Sequence, residues 1–73
     1  MNMKKIYVQV IDKATGIYQC GMIEEPVIRN KEIENALAHF GIVPESIIWN
    51  HKEGIFGYGE SEGTSKIFQI IEL

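Results

Sequence analysis

The chain has 73 residues, 7 basic and 10 acidic, for a net charge of −3, with a single cysteine. A chain this short forms one domain and buries only about 60% of the surface its unfolded form exposes, so its stability margin is thin. The lone Cys20 excludes an internal disulfide and suits a reducing compartment, where it is expected to serve as a small buried apolar residue. The charge balance gives no basic field for nucleic acid or for an anionic membrane. No apolar stretch approaches the ~20 residues of a membrane span. The apolar run after Lys4 and Lys5 is broken by Gln9 and meets Asp12, which does not read as a signal peptide. A cytoplasmic protein is the expectation.

In chain order, KKIYVQVID (4–12) alternates. Ile6, Val8 and Val10 point one way and Tyr7, Gln9 and Ile11 the other, which reads as a strand. Asp12 and Gly16 punctuate a turn, and IYQCGMIEE (17–25) reads as the returning strand of a hairpin. Gly21 within it suggests a bulge or the close approach of another backbone. Pro26 should end the pairing, since it has no N–H to donate.

NKEIENALAHFG (30–41) predicts a helix of about ten residues. Asn30 reads as its N-cap and Gly41 lies just past its end. Ile33, Ala36, Leu37 and Phe40 fall on one stripe at i, i+3, i+4 and i+7. Pro44 can open a turn or a short helical turn, with Glu45 and Ser46 behind it. SIIW (46–49) then predicts a strand, Asn50–Gly54 a turn, IFGYGE (55–60) a strand, SEGTS a turn, and KIFQIIEL (66–73) the last strand. The sum is an α+β domain over 1–73, in the order β-β-α-β-β-β. It has a mainly antiparallel sheet of four to five strands and one helix packed on one face.

The glycine-rich stretch from Gly54 to Gly63 does not make a phosphate loop. Gly59 to Gly63 is one residue short of the P-loop spacing, Thr64 stands where lysine is needed, and no helical stripe follows. Glu60 and Glu62 would also repel a phosphate. A twisted hairpin is expected instead. Gly57 and Gly59 on one side of the strand call for a tight bend or bulge, the approach of a partner's backbone, or a neighbouring aromatic ring laid over the gap.

No catalytic constellation, metal set or cofactor motif is found. His39, His51 and Cys20 are the soft ligands and no two sit at ligand spacing. His39 reads as a surface or capping residue near the helix C-terminus. His51 has no nucleophile or acid placed beside it by the sequence. Glu24 and Glu25, adjacent in a strand, point to opposite faces.

The first and last strands are apolar on both sides: Ile67, Ile71 and Leu73 on one side of the last, Phe68 and Ile70 on the other. A sheet with one face in water should be polar on that face. One short helix cannot cover both, so a second copy of the chain, another protein, or the domain's own loops in a curled half-barrel should cover the rest. The expected function is therefore a non-enzymatic protein-interaction module, accessory, regulatory or inhibitory, acting as a homodimer or on another protein. Its candidate surface is Tyr7, Tyr18, Trp49, His51, Phe56, Tyr58, Phe68 and Ile70. The alternative is binding of single-stranded nucleic acid or a small ligand by the sheet aromatics and the 49–58 hairpin, against which the net charge weighs.

Overall fold

The computed structural model describes residues 2–73. Strands β1 (Lys4–Asp12), β2 (Tyr18–Glu25), β3 (Ile47–Glu53), β4 (Phe56–Ser61) and β5 (Lys66–Glu72) form one antiparallel sheet in the order β2-β1-β5-β4-β3. Helix α1 (Asn30–His39) and a 3₁₀ turn (Pro44–Ser46) lie between β2 and β3. The expected α+β architecture is observed, and the pairing that joins the N-terminal hairpin to the C-terminal strands is β1 with β5.

This topology explains how one helix serves the domain. β2 and β3 are opposite edges of the sheet, so the connection between them must cross a whole face. It carries Ile28 before α1, Ile33 and Leu37 within it, and Ile42 after it, all buried against Ile6, Val8 and Val10 of β1 and Phe68 and Ile70 of β5. Ala36 and Phe40 complete the expected stripe at the margin of that core. Burying such side chains contributes about 1.5–3 kcal/mol each.

The helix starts one residue earlier than the sequence suggests. Asn30 is its first helical residue, the cap position is Arg29, and no side chain caps it. Its end follows expectation. Gly41, at φ +90°, donates to Ala38 O, and Ile42 donates to Leu37 O at 2.9 Å. That is the Schellman arrangement, closed by the apolar contact of its flanking residues, since Leu37 and Ile42 are both fully buried.

The glycines resolve individually. β1 and β2 pair without a break across Gly21, so there is no bulge there. The close neighbour is the Phe40 ring, whose Cζ would stand 3.1 Å from a Cβ on Gly21. At Gly59 the crowding comes from the Phe68 ring and the β3 backbone at Ile48 and Trp49, while Gly57, at φ +149°, faces the β3 backbone at His51 and Lys52. The covering aromatic is observed at Gly59, and the backbone that crowds both glycines is the chain's own β3 and not a partner's. The bend lies opposite, in β3, where the register shifts between Trp49 and His51 and leaves Asn50 unpaired.

β3 also runs on through Asn50–Glu53, expected as a turn, because the reversal is tighter than it reads. Glu53 pairs with Phe56, and only Gly54 and Ile55 lie between them. Positive φ at Gly54 alone is the pattern of a type II′ hairpin. At the other end of β3, the buried Ser61 bonds Ser46 Oγ at 2.8 Å, which seats the 3₁₀ turn on β4.

Candidate interaction surface

Side chains alternate across a strand, and residues opposite each other on neighbouring strands share a face. The face under the connection holds Ile6, Val8, Val10, Phe68 and Ile70. The other face is composed of rows that can be read from the register. Cys20, Gln9, Gln69, Tyr58 and His51 stand opposite one another in turn across all five strands. On one side of this row lie Met22, Tyr7 and Ile71. On the other lie Tyr18, Ile11, Ile67, Glu60 and Ile48. A central polar row is thus flanked by two largely apolar rows.

None of these rows is roofed by the described residues. Ile11 is 38% exposed, Tyr18 50%, Met22 56%, Ile48 38% and Tyr58 51%, so five of the large exposed hydrophobic side chains belong to this one face. The sheet remains open, with β2 and β3 as separate edges, and no half-barrel closes over it. A depression of about 350 Å³ lies between β1, β5 and β4, with Gln9, Ile11, Asn50, Tyr58, Ile67 and Gln69 at its rim and floor.

The expected surface residues divide between the two sides. Tyr7, Tyr18, His51 and Tyr58 lie on the open face. Phe68 and Ile70 do not: they are 3% and 1% exposed in the core, a correction that follows from the connection lying on their side of β5. Trp49 also lies on that side, because it stands opposite Gly59, which stands opposite Phe68, and its ring meets Phe68 edge-on at 4.9 Å. Phe56 is half-buried against the same core. The residues that replace them are Gln9, Ile11, Met22, Ile48, Ile67, Gln69 and Ile71. Of these, Gln9 and Ile11, alternating with Tyr7, and Ile67 and Ile71, on the side of β5 opposite to Phe68, have a sequence signal.

Two clusters give the open face its local character. The His51 ring stacks on Tyr58 at 5.7 Å, with Glu53 Oε1 3.8 Å from His51 Nε2. Lys52, on the reverse of the same strand, sits 4.9 Å over Trp49. At the other edge the Tyr7 hydroxyl donates to Cys20 Sγ at 3.0 Å. That bond holds the phenol proton, and together with the neighbouring thiol pushes the Tyr7 pKa up to about 12. Cys20 itself is exposed, contrary to the expected buried position, because it lies on the open face of β2, an edge strand. His39 is exposed in the last helical turn, edge-on to Phe40 at 5.4 Å.

Scans against protein-family models, curated proteins and solved structures return no match to the chain. Among the described residues no helix is long and apolar enough to cross a membrane.

Proposed function

We propose that this chain is a small non-enzymatic protein-interaction module, self-associating, which acts on other proteins through the open face of its sheet. The observation that carries the reading is the concentration of Ile11, Tyr18, Met22, Ile48 and Tyr58 on one uncovered face. Tyrosine and methionine are favoured at protein interfaces, where they supply large contact area, and Gln9 and Gln69 at the centre can each donate and accept hydrogen bonds. A flat, mixed surface of this kind suits a folded protein partner in a cytoplasmic setting, where the free Cys20 stays reduced.

The test is capture from extract of the source cell by the immobilised chain and by an Ile11→Thr, Tyr58→Thr, Ile67→Thr variant. These substitutions keep strand-compatible side chains while removing apolar surface. A defined protein held by the wild type and lost by an equally folded variant supports the reading. Equal capture by both removes it.

A second reading is favoured by the depression beside Tyr58. Its amide rim and tyrosine wall suit a small planar ligand with donor and acceptor groups. Thermal-shift screening with such compounds separates the two, because a ligand-specific rise in Tm that Tyr58→Thr abolishes belongs to the ligand reading alone.

A further inference from the structure

The two edges of the sheet are built differently. β3 carries the devices that discourage strand addition: a bulge at Asn50 and the charged Lys52 on the strand. β2 carries neither over most of its length. It pairs with β1 without interruption from Tyr18 to Glu25, and Tyr18–Ile23 is uncharged. A long, regular, uncharged edge is a template for another strand.

The direction of its free backbone groups follows from the ladder. Asp12 N donates to Ile17 O, and the β1–β2 register continues from that pair, so alternate residues from Ile17 onward spend their groups on β1. On the other side of β1, Leu73 N donates to Lys5 O and Lys13 N to Ser65 O, which sets the same alternation in β1. The N–H and C=O groups of Tyr18, Cys20, Met22 and Glu24 therefore point away from the sheet. Among the described residues none of the four makes a backbone bond outside the ladder.

We propose that β2 pairs antiparallel with β2 of a second copy, about a two-fold axis at Gly21, joining two domains into a continuous ten-stranded sheet. This deepens the self-association proposed above and rests on it. Placing the axis at Gly21 sets Tyr18 opposite the second copy's Glu24, and Cys20 opposite its Met22. It is the register that engages all four outward residues of both chains, for about eight hydrogen bonds.

Charge and shape agree with that register. Glu24 and Glu25 sit at one end of β2, so antiparallel pairing sends the acids of the two copies to opposite ends, where a parallel arrangement would stack them. Glu24 is further balanced by Lys5 Nζ at 3.5 Å. At the axis, Gly21 faces Gly21 of the second copy without side chains, and each chain brings its half-buried Phe40 over that glycine. The two rings meet on the covered side, while Tyr18 and Met22, exposed in the single chain, gain neighbours on the open side. Both helices then lie on one side of the joined sheet and both open faces on the other.

The experiment has two arms. Light scattering after gel filtration should give twice the 8.3 kDa of one chain for the wild type. Met22→Pro removes an outward N–H that β1 does not use, so the variant should keep its fold by circular dichroism and dimerise about tenfold or more weakly. Because a proline can perturb a strand, the second arm uses Met22→Cys. Opposed residues of a hydrogen-bonded pair stand about 5.5 Å apart at Cα, within disulfide range. Mild oxidation should link this variant into covalent dimers through Cys20, and Cys20→Ser in the same background should abolish the link. A folded Met22→Pro dimer as tight as the wild type, or a Met22→Cys variant that does not crosslink, overturns the edge pairing. A dimer broken by the Ile11, Tyr58 and Ile67 substitutions but not by Met22→Pro also overturns it, with self-association intact. A wild type that stays monomeric at millimolar concentration overturns both the edge pairing and self-association, while capture of another protein by the open face is read separately.

Discussion

The two faces of this sheet are drawn from the same strands and are almost equally rich in large side chains, yet they have different fates. On β1, Ile6, Val8 and Val10 are buried while Tyr7, Gln9 and Ile11 between them are not. On β5, Phe68 and Ile70 are buried while Gln69 is exposed and Ile67 and Ile71 are partly so. What separates them is topology. The chain crosses from β2 to β3 over one face only, and the core on that side is packed by Ile28, Ile33, Leu37 and Ile42 of this crossing. The covered face is aliphatic, with Trp49 and Phe68 interlocked and Phe40 and Phe56 packed at its margin. The open face carries phenols and amides, groups that tolerate water and still offer contact area. A strand apolar on both sides can therefore have one face packed in the core and the other left open.

Substitutions at equivalent depth on the two sides sharpen this contrast. The largest effect is expected at Phe68→Ala, which empties the contact among Trp49, Gly59 and Val10. A loss of about 3–5 kcal/mol is expected in urea unfolding, a large share of the total for a domain this size. Gly59→Ala attacks the same contact from the opposite direction. Its new methyl would meet the Phe68 ring and the β3 backbone at Ile48 and Trp49, of which the backbone cannot yield cheaply. About 1–3 kcal/mol of destabilisation is expected, read by the same unfolding curve. A Gly59→Ala protein as stable as the wild type would show that the aromatic pair is not held against β4.

How far the two faces could be told apart in advance depended on which residues carry local signals. Alternation in β1 separated Ile6, Val8 and Val10 from Tyr7, Gln9 and Ile11, and the helical stripe gave the roof. Period alone does not say which side of a doubly apolar strand the roof takes. Phe68, Ile70 and Trp49 therefore read from the sequence as surface candidates. The long β3 was hidden because Asn50, His51 and Lys52 look like turn residues and a bulge absorbs the irregularity. The short reversal at Gly54 required the register to be seen. Arg29 as an uncapped helix start had no signal, since Asn30 is the better capping residue.

Gly41→Ala probes the roof where it turns back toward the sheet. The residue holds φ +90°, and among the described residues its methyl would meet the flexible end of Lys66. The cost is therefore backbone strain of about 1–2 kcal/mol, expected as a lower Tm. On the open face, Ile67→Thr should cost less than about 1 kcal/mol, measured by urea unfolding. Its main consequence should be weaker capture of a protein partner. If Ile67→Thr destabilised the isolated chain as much as Phe68→Ala, the distinction between a folding face and a binding face would fail.

The smallest effect is expected at Asp12, which ties the tips of two hairpins together at one end of the sheet. Its carboxylate accepts from Ser65 Oγ and from Ala14 N, the latter at 3.0 Å, while Lys13 N donates to Ser65 O at 2.9 Å. The Ser65 hydroxyl first, and the Ala14 amide second, hold the Asp12 carboxyl below its ordinary pKa. A group whose pKa is lower in the folded chain than in the unfolded one binds its proton more weakly when folded. Its stabilisation is present above the unfolded-state value, near 3.8, and drains away as pH falls through the lower folded value. Asp12→Asn should therefore lower Tm at pH 7, and the gap to the wild type should close only as the pH falls below 3.8 and through the lower folded value. The site is exposed, so the gap should be small, and it should leave capture by the open face unchanged. A gap independent of pH would show that the turn depends on the shape of the Asp12 side chain and not on its charge.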